Sequence, residues 1–169
     1  MKQFKTLLIA AALFIGATSF TNAQSKIAHI NTTELIQSMP EMKAAQAEME
    51  KLGKTYETDI QASAKELQDK MKLYDSQAAS QTDEENKKRV LEVQGMEQSI
   101  RQYQAQAQQD LQKKELELLK PITEKAKAAI LKVAKAQGFN YVLDSTQGQG
   151  VIMAEGKDLL GDVKKELGY

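Results

Sequence analysis

The chain has 169 residues, with 23 lysines and arginines balanced by 23 acids, one histidine, and neither cysteine nor tryptophan. No disulfide framework and no histidine-based metal cluster can be built from that composition within one chain. A neutral balance also lacks the basic footprint that nucleic acid requires. The scarcity of aromatic residues argues against one large core.

The chain opens as a secretory signal. Lys2 and Lys5 form a positive n-region, Leu7 to Ala17 an apolar stretch of the roughly 7–15 residues such signals use, and Thr21-Asn22-Ala23 supplies the small residues before a cut. The apolar stretch falls short of the roughly 20 residues that span a bilayer, and with no cysteine there is no lipoprotein anchor. Residues 1–23 are therefore expected to be removed and the mature chain to be exported. Losing Lys2 and Lys5 leaves it 21 basic residues against 23 acids.

Lys26-Ile27-Ala28-His29-Ile30-Asn31 reads as a short strand. Asn31 is placed to cap a brief helix over Thr32 to Met39, with Glu34 at the capping-box position, and Ser38 with Glu41 repeats the device around Pro40, which suits a first helical turn. His29 is read as a structural or surface residue on its strand.

From Pro40 to Pro121 the chain has only two glycines, Gly53 and Gly95, and its apolar residues recur at helical spacing. One stripe runs Met42, Ala45, Met49, Leu52, Tyr56, Ile60, Ser63, Leu67, Met71, Tyr74 and Ala78, with a mean step of 3.6 residues. That is the period of a straight helix, not of a heptad supercoil. A break near Ser80-Gln81-Thr82-Asp83 precedes a second start, with Thr82 as cap and Glu85 in the box position. The returning stripe runs from Val93, Met96, Ile100, Tyr103 and Ala107 through Leu118 and Ile122 to Val133 and Ala136. A short connection makes the two helices antiparallel neighbours. Pro121 should kink the second, because it cannot donate to the Glu117 carbonyl. Gly53 and Gly95 are candidate flex points within the pair.

Gly138 is expected to end this helix at C′. Phe139 to Asp144 and Val151 to Ala154 read as two strands joined by a hairpin turn over Thr146 to Gly150, and Asp158 as the cap of a closing helix bearing Leu159, Leu160, Val163 and Leu167. Gly148-Gln149-Gly150 is not a phosphate loop, since no Gly-Lys-Ser/Thr follows.

The predicted fold is mainly α with a small β body and a long antiparallel helical hairpin as an arm. Residues 24–39 and 137–169 form the body and residues 40–136 the arm. So small a body, without disulfide or metal, is marginal alone, and its strand edges need partners. Copies of the body are therefore expected to associate. Candidate oligomerisation residues are Ile27, Ile30, Leu119, Ile122, Ile130, Tyr141, Leu143, Val151 and Met153. The arm stripe uses adaptable methionines and tyrosines, which suit weak contact with irregular partners. Candidate client-binding residues are Met49, Tyr56, Ile60, Met71, Tyr74, Met96, Ile100 and Tyr103. The arm acids alternate with lysines and read as solvated faces. No catalytic group, metal site or cofactor is read from the sequence, and an enzyme is not expected.

This order of elements, with Lys26 to Asn31 as first strand, Ser38-Met39-Pro40-Glu41 before the arm, Ala136-Gln137-Gly138-Phe139-Asn140-Tyr141-Val142-Leu143-Asp144 after it and Asp158-Leu159-Leu160 with Val163 and Leu167 at the end, resembles the Skp (OmpH-like) periplasmic chaperones. The resemblance spans the mature chain, and its specific matches lie at the ends. It implies a jellyfish-like homotrimer whose strands share a barrel-like body and whose arms enclose a cavity. It also implies a periplasmic, ATP-independent holdase for unfolded outer-membrane proteins, without nucleic acid and without stable membrane insertion. Two departures stand out. The arm tip mixes Asp83, Glu84 and Glu85 with Lys87, Lys88 and Arg89, where family members are often strongly basic, so no anion site carries over. Leu160 stands where a threonine is usual, leaving Asp158 as the candidate cap. The alternative is a structural or adaptor protein of the envelope that docks one defined partner.

Overall fold

The structure is a computed structural model that describes residues 26–169. The expected signal segment, residues 1–23, lies outside the described residues. Strand β1 (Ile27–Ile30) leads into α1 (Thr32–Ser38), then α2 (Pro40–Gln77), a 3-10 turn (Ala78–Ser80) and α3 (Asp83–Ala136). Strand β2 (Tyr141–Asp144), strand β3 (Lys157–Asp158) and α4 (Leu160–Leu167) complete the chain.

The helix ends follow the local chemistry. Asn31 caps α1, its side chain accepting from the Glu34 N–H at 2.9 Å, and Thr82 caps α3 by accepting from the Glu85 N–H at 3.2 Å. Gly138, at φ 73°, ends α3 in a Schellman motif, with Gly138 N–H donating to Lys135 O at 3.1 Å and Phe139 N–H to Ala134 O at 2.9 Å. Pro40 occupies the first turn of α2. The expected Ser38 cap is not formed. A residue before proline is held out of the α region, so Met39 takes the cap position with ψ 133°, fully buried, and makes no side-chain cap bond. Ser38 instead donates back to Leu35 O at 2.7 Å. Pro121 lies inside α3, which continues as one helix to Ala136.

The sheet order is β2-β1-β3, and both pairings are parallel. This corrects the expected hairpin over Phe139 to Ala154. Gly148 and Gly150 do turn the chain, at φ 87° and 89°, but Val151 to Ala154 forms no strand. The segment carries the chain across to the free edge of β1, where Ala28 pairs with Lys157 and His29 with Asp158. An apolar run has strand character only beside a strand edge, and this one meets none within its own chain. His29 tethers the crossing: its Nε2–H donates to Gly156 O at 3.1 Å, which leaves Nδ1 to accept from the Ser145 hydroxyl at 3.3 Å. Asp158 accepts the Leu160 N–H at 2.9 Å from within β3, while Leu159 holds the cap position of α4.

One face of the sheet, with Ala28 and Ile30, packs on the helices. The core comprises twelve buried residues, five of them alanine, and Leu35, Met39, Leu159 and Val163 are its fully buried large members with Ile30. It takes in Ala45 from the root of α2 and Ile122, Ala126, Ala129, Val133 and Ala134 from α3. The end of α3, within the expected arm, thus forms a wall of the body. At 1.5 Å per residue α2 runs about 57 Å and α3 about 81 Å, most of the excess lying beyond the Glu41–Lys125 ion pair at the root.

A polar clip ties the body together across the whole chain. Asp144 accepts from the Thr32 hydroxyl at 2.6 Å and N–H at 3.3 Å, and from the Thr146 hydroxyl at 2.7 Å and N–H at 2.9 Å. Burial opposes its ionisation, but these four bonds outweigh it and hold its carboxyl below the ordinary value.

With so few large side chains in the core, Leu35→Ala or Leu159→Ala should each lower unfolding stability by about 2–5 kcal/mol, measured as a fall in the urea midpoint at unchanged slope. Asp144, with its lowered folded pKa, contributes stability that is present above the unfolded value of about 3.9 and lost as pH falls through the folded one. Urea midpoints followed from pH 7 to pH 3 should fall with acid, and the Asp144→Asn variant should show a flatter profile.

Candidate functional site

The arm is closed by a single seam in antiparallel register. From root to tip it joins Glu41 to Lys125, Glu48 to Lys114 at 2.7 Å, Tyr56 to Asp110, Asp59 to Tyr103, Lys70 and Tyr74 to Glu92, and Gln77 to Arg89. The predicted stripes form this seam, yet beyond the root, where Ala45 joins the core, only Ala107 is buried. Most other stripe residues are half-buried, because two helices without a third cannot enclose a side chain.

All three arm tyrosines donate their hydroxyl to a carboxylate of the opposite helix: Tyr56 to Asp110 at 3.0 Å, Tyr103 to Asp59 at 2.9 Å, Tyr74 to Glu92 at 2.5 Å. The rings of Tyr56 and Tyr103 meet edge to face at 5.8 Å, and the Arg89 guanidinium lies 4.7 Å from the centre of the Tyr74 ring. Each accepting carboxylate pushes its tyrosine above the ordinary phenol pKa, while Lys70 and then Tyr74 hold Glu92 below the usual carboxylate range. The three contacts are thus clips between a neutral phenol and an anion. They went unread in the sequence, where the acids passed for solvated faces. The signal was there: Asp59 is three residues from Tyr56 and Asp110 seven from Tyr103, spacings that share a helix face.

The residues expected to meet a client fall at separate places along the arm. Met49 lies in a shallow groove at the root with Met42, Leu118 and Leu119. Ile60, Met96, Ile100 and Tyr103 come together around a groove in the middle. Met71 and Tyr74 line a third near the tip with Val90 and Val93. Tyr56 belongs to the clips. Off the stripe, Leu73, Val90 and Leu91 are exposed at the tip.

The residues expected between copies also divide. Ile27, Tyr141 and Leu143 are exposed together on the outer sheet face, where Ile27 registers with Tyr141 and His29 with Leu143. Met153 is largely exposed and Val151 partly so, and their neighbour Ile152, missed in the sequence, is fully exposed. Ile130 lines a cavity of about 480 Å³ beside β2, and Leu119 lines the root groove. Ile30 and Ile122, at 1% and 5% exposure, belong to the chain's own core. This corrects their expected place between chains. A strand residue facing the helices and a residue on the inner side of α3 are covered before any second copy arrives.

Among the described residues, no helix is long and apolar enough to cross a membrane, and no group of three metal-ligating side chains comes together.

The chain is similar to proteins called chaperone protein Skp. The one from Pectobacterium atrosepticum is 24% identical over 165 residues, covering 96% of this chain and 99% of the relative. That from Photorhabdus luminescens is 25% identical over the same shares. A crystal structure of an OmpH-like outer membrane chaperone from Caulobacter crescentus CB15 superposes with a TM-score of 0.76 at 14% identity, covering 86% of this chain and 85% of that one. The fold is thus shared where little sequence is. The family model of OmpH-like outer membrane proteins matches residues 26–167, from the first strand to the last helix, and the chain belongs to that family.

Proposed function

We propose that the protein is an ATP-independent periplasmic holdase, which keeps unfolded outer-membrane proteins from aggregating and is delivered through cleavage after Ala23. It binds and releases; it catalyses no reaction and uses no cofactor. The observation that carries this reading is the arm. It extends well beyond the core, and its half-buried methionines, isoleucines and tyrosines lie in three shallow grooves along its length. Such a surface holds a disordered chain at many weak points. Methionine in particular adapts to irregular partners.

The body supplies the second half of the reading. The uncovered face carrying Ile27, Tyr141 and Leu143, together with the exposed Ile152 and Met153, is an apolar surface that a solitary soluble chain has no use for. We propose that copies of the body associate through it, with Val151 to Ala154 pairing against a neighbouring strand edge and three arms enclosing the client. The trimer and its barrel-like body come from the resemblance. The adaptor alternative has one feature in its favour, the exposed Val90 and Leu91 at the tip. It calls for a single tight partner, and a holdase for many clients.

Light scattering should give a multiple of the mature chain's mass for the purified protein. Tyr141→Glu combined with Leu143→Glu should reduce it to one chain while the helical circular dichroism of the arm persists. A single-chain mass for the unaltered protein would remove the rationale for the shared body. A β-barrel membrane protein diluted from urea should stay soluble with a stoichiometric amount of the protein and no nucleotide. Undiminished turbidity would rule out the holdase reading, and an adaptor would give that result together with one partner on pull-down.

A further inference from the structure

Between the Tyr74–Glu92 and Tyr103–Asp59 clips both arm helices line an open groove of about 590 Å³, walled by Ile60, Met96, Ile100 and Tyr103, a size within the range of small-ligand pockets. It stays open because Ser63, Gly95 and Ser99 line it as well.

Gly95 is the informative one. It sits inside α3, where glycine is the least favourable residue short of proline. Its φ is not in the left-handed region, and no atom of the chain lies within 4 Å of where a Cβ would stand. Neither backbone geometry nor close packing calls for glycine here. What its missing side chain provides is space in the groove.

The charge around that space is one-sided. Residues 56–74 and 92–110 hold seven acids and four bases. Three of the bases are already engaged, Lys65 by Asp69, Lys70 by Glu92 and Arg101 by Glu97. Asp59 and Asp110 receive only tyrosine and amide donors. Glu66, on the groove wall, has no lysine or arginine within ion-pair distance among the described residues. An apolar slot with Glu66 on its wall, met by Lys70 only beyond ion-pair distance, and with Asp59 bonded to its Tyr103 wall, favours a guest that is apolar at one side chain and cationic beside it.

We infer that the groove takes one bulky apolar side chain of an unfolded polypeptide at a position where a lysine or arginine neighbours it. A lysine or arginine stem can lie along the apolar wall while its head reaches Glu66. The inference rests on the holdase reading and narrows it: the middle of the arm selects basic-apolar segments of a client, and acidic stretches are left to other parts of the molecule.

The test uses two labelled unstructured peptides of equal length and phenylalanine content, one with lysine beside each phenylalanine and one with glutamate. Fluorescence anisotropy with the purified protein at low salt should show the lysine peptide bound about fivefold more tightly, the scale expected of a few exposed ion pairs, with the margin shrinking as salt is added. Glu66→Lys should abolish the margin. Gly95→Leu, which favours the helix, should weaken the lysine peptide several-fold with helical content unchanged. Equal affinities, or a margin that survives both substitutions, would overturn the proposal. Suppression of client aggregation, measured on the same preparations, separates the two readings. Protection without a charge preference leaves the holdase and removes the groove, whereas neither protection nor binding removes both.

Discussion

Two helices packed only on each other can bury no more than the stripe each turns inward, and every other part of this molecule accommodates that limit. Over most of the arm the seam residues remain half-buried, so apolar contact contributes less per residue than it would in a three-layered fold. The shortfall is met with directed polar contacts. Tyrosine suits the task because its ring covers seam surface while its hydroxyl reaches an acid on the other helix. Alternating the direction of the clips, from α2 to α3 at Tyr56 and Tyr74 and from α3 to α2 at Tyr103, resists sliding either way along the axis.

At the root the limit is relieved by α3 running past the start of α2 into the body. There it gains the sheet, α1 and α4 as further neighbours, and its buried residues cluster accordingly from Ile122 to Ala134. Alanine at Ala126, Ala129 and Ala134 lets the layers approach closely, at the expense of apolar area. The same α3 therefore runs as one helix from the body into the arm.

The elements that local chemistry dictates were legible in the sequence: the stripes at 3.6-residue spacing, the Asn31 and Thr82 caps, the Gly138 terminus and the break near Ser80. Apart from the Ser38 cap, the readings that failed depend on partners distant in the chain. Val151 to Ala154 has the composition of a strand, but the edge within reach of its own chain is occupied by Lys157 and Asp158. Ser38 has the spacing of a cap, but the proline two residues later gives that position to Met39. Ile30 and Ile122 are apolar and near the expected interface, yet which side of a strand or helix faces inward is settled only once the layers are assembled. For the grooves, the sequence supplied the walls without the space between them. Ser63 reads as a member of the stripe and Gly95 as a flex point, and both line the middle groove.

An arm that is sparingly apolar follows from its work. A seam filled with leucine would close fully and leave no groove, and leucine on the outer faces would draw arms to one another before any client arrived. Polar clips hold the helices together without that surplus, so the apolar area left for a guest is divided among separate shallow grooves. On the proposed reading each groove binds weakly, and a long unfolded chain that occupies several at once is retained by their combination, since release at one point is followed by rebinding while the others hold. Retention of that kind weakens when the client begins to fold and withdraws its side chains one by one. The proposed holdase needs no nucleotide for release, because the free energy of the client's own folding is what separates the two.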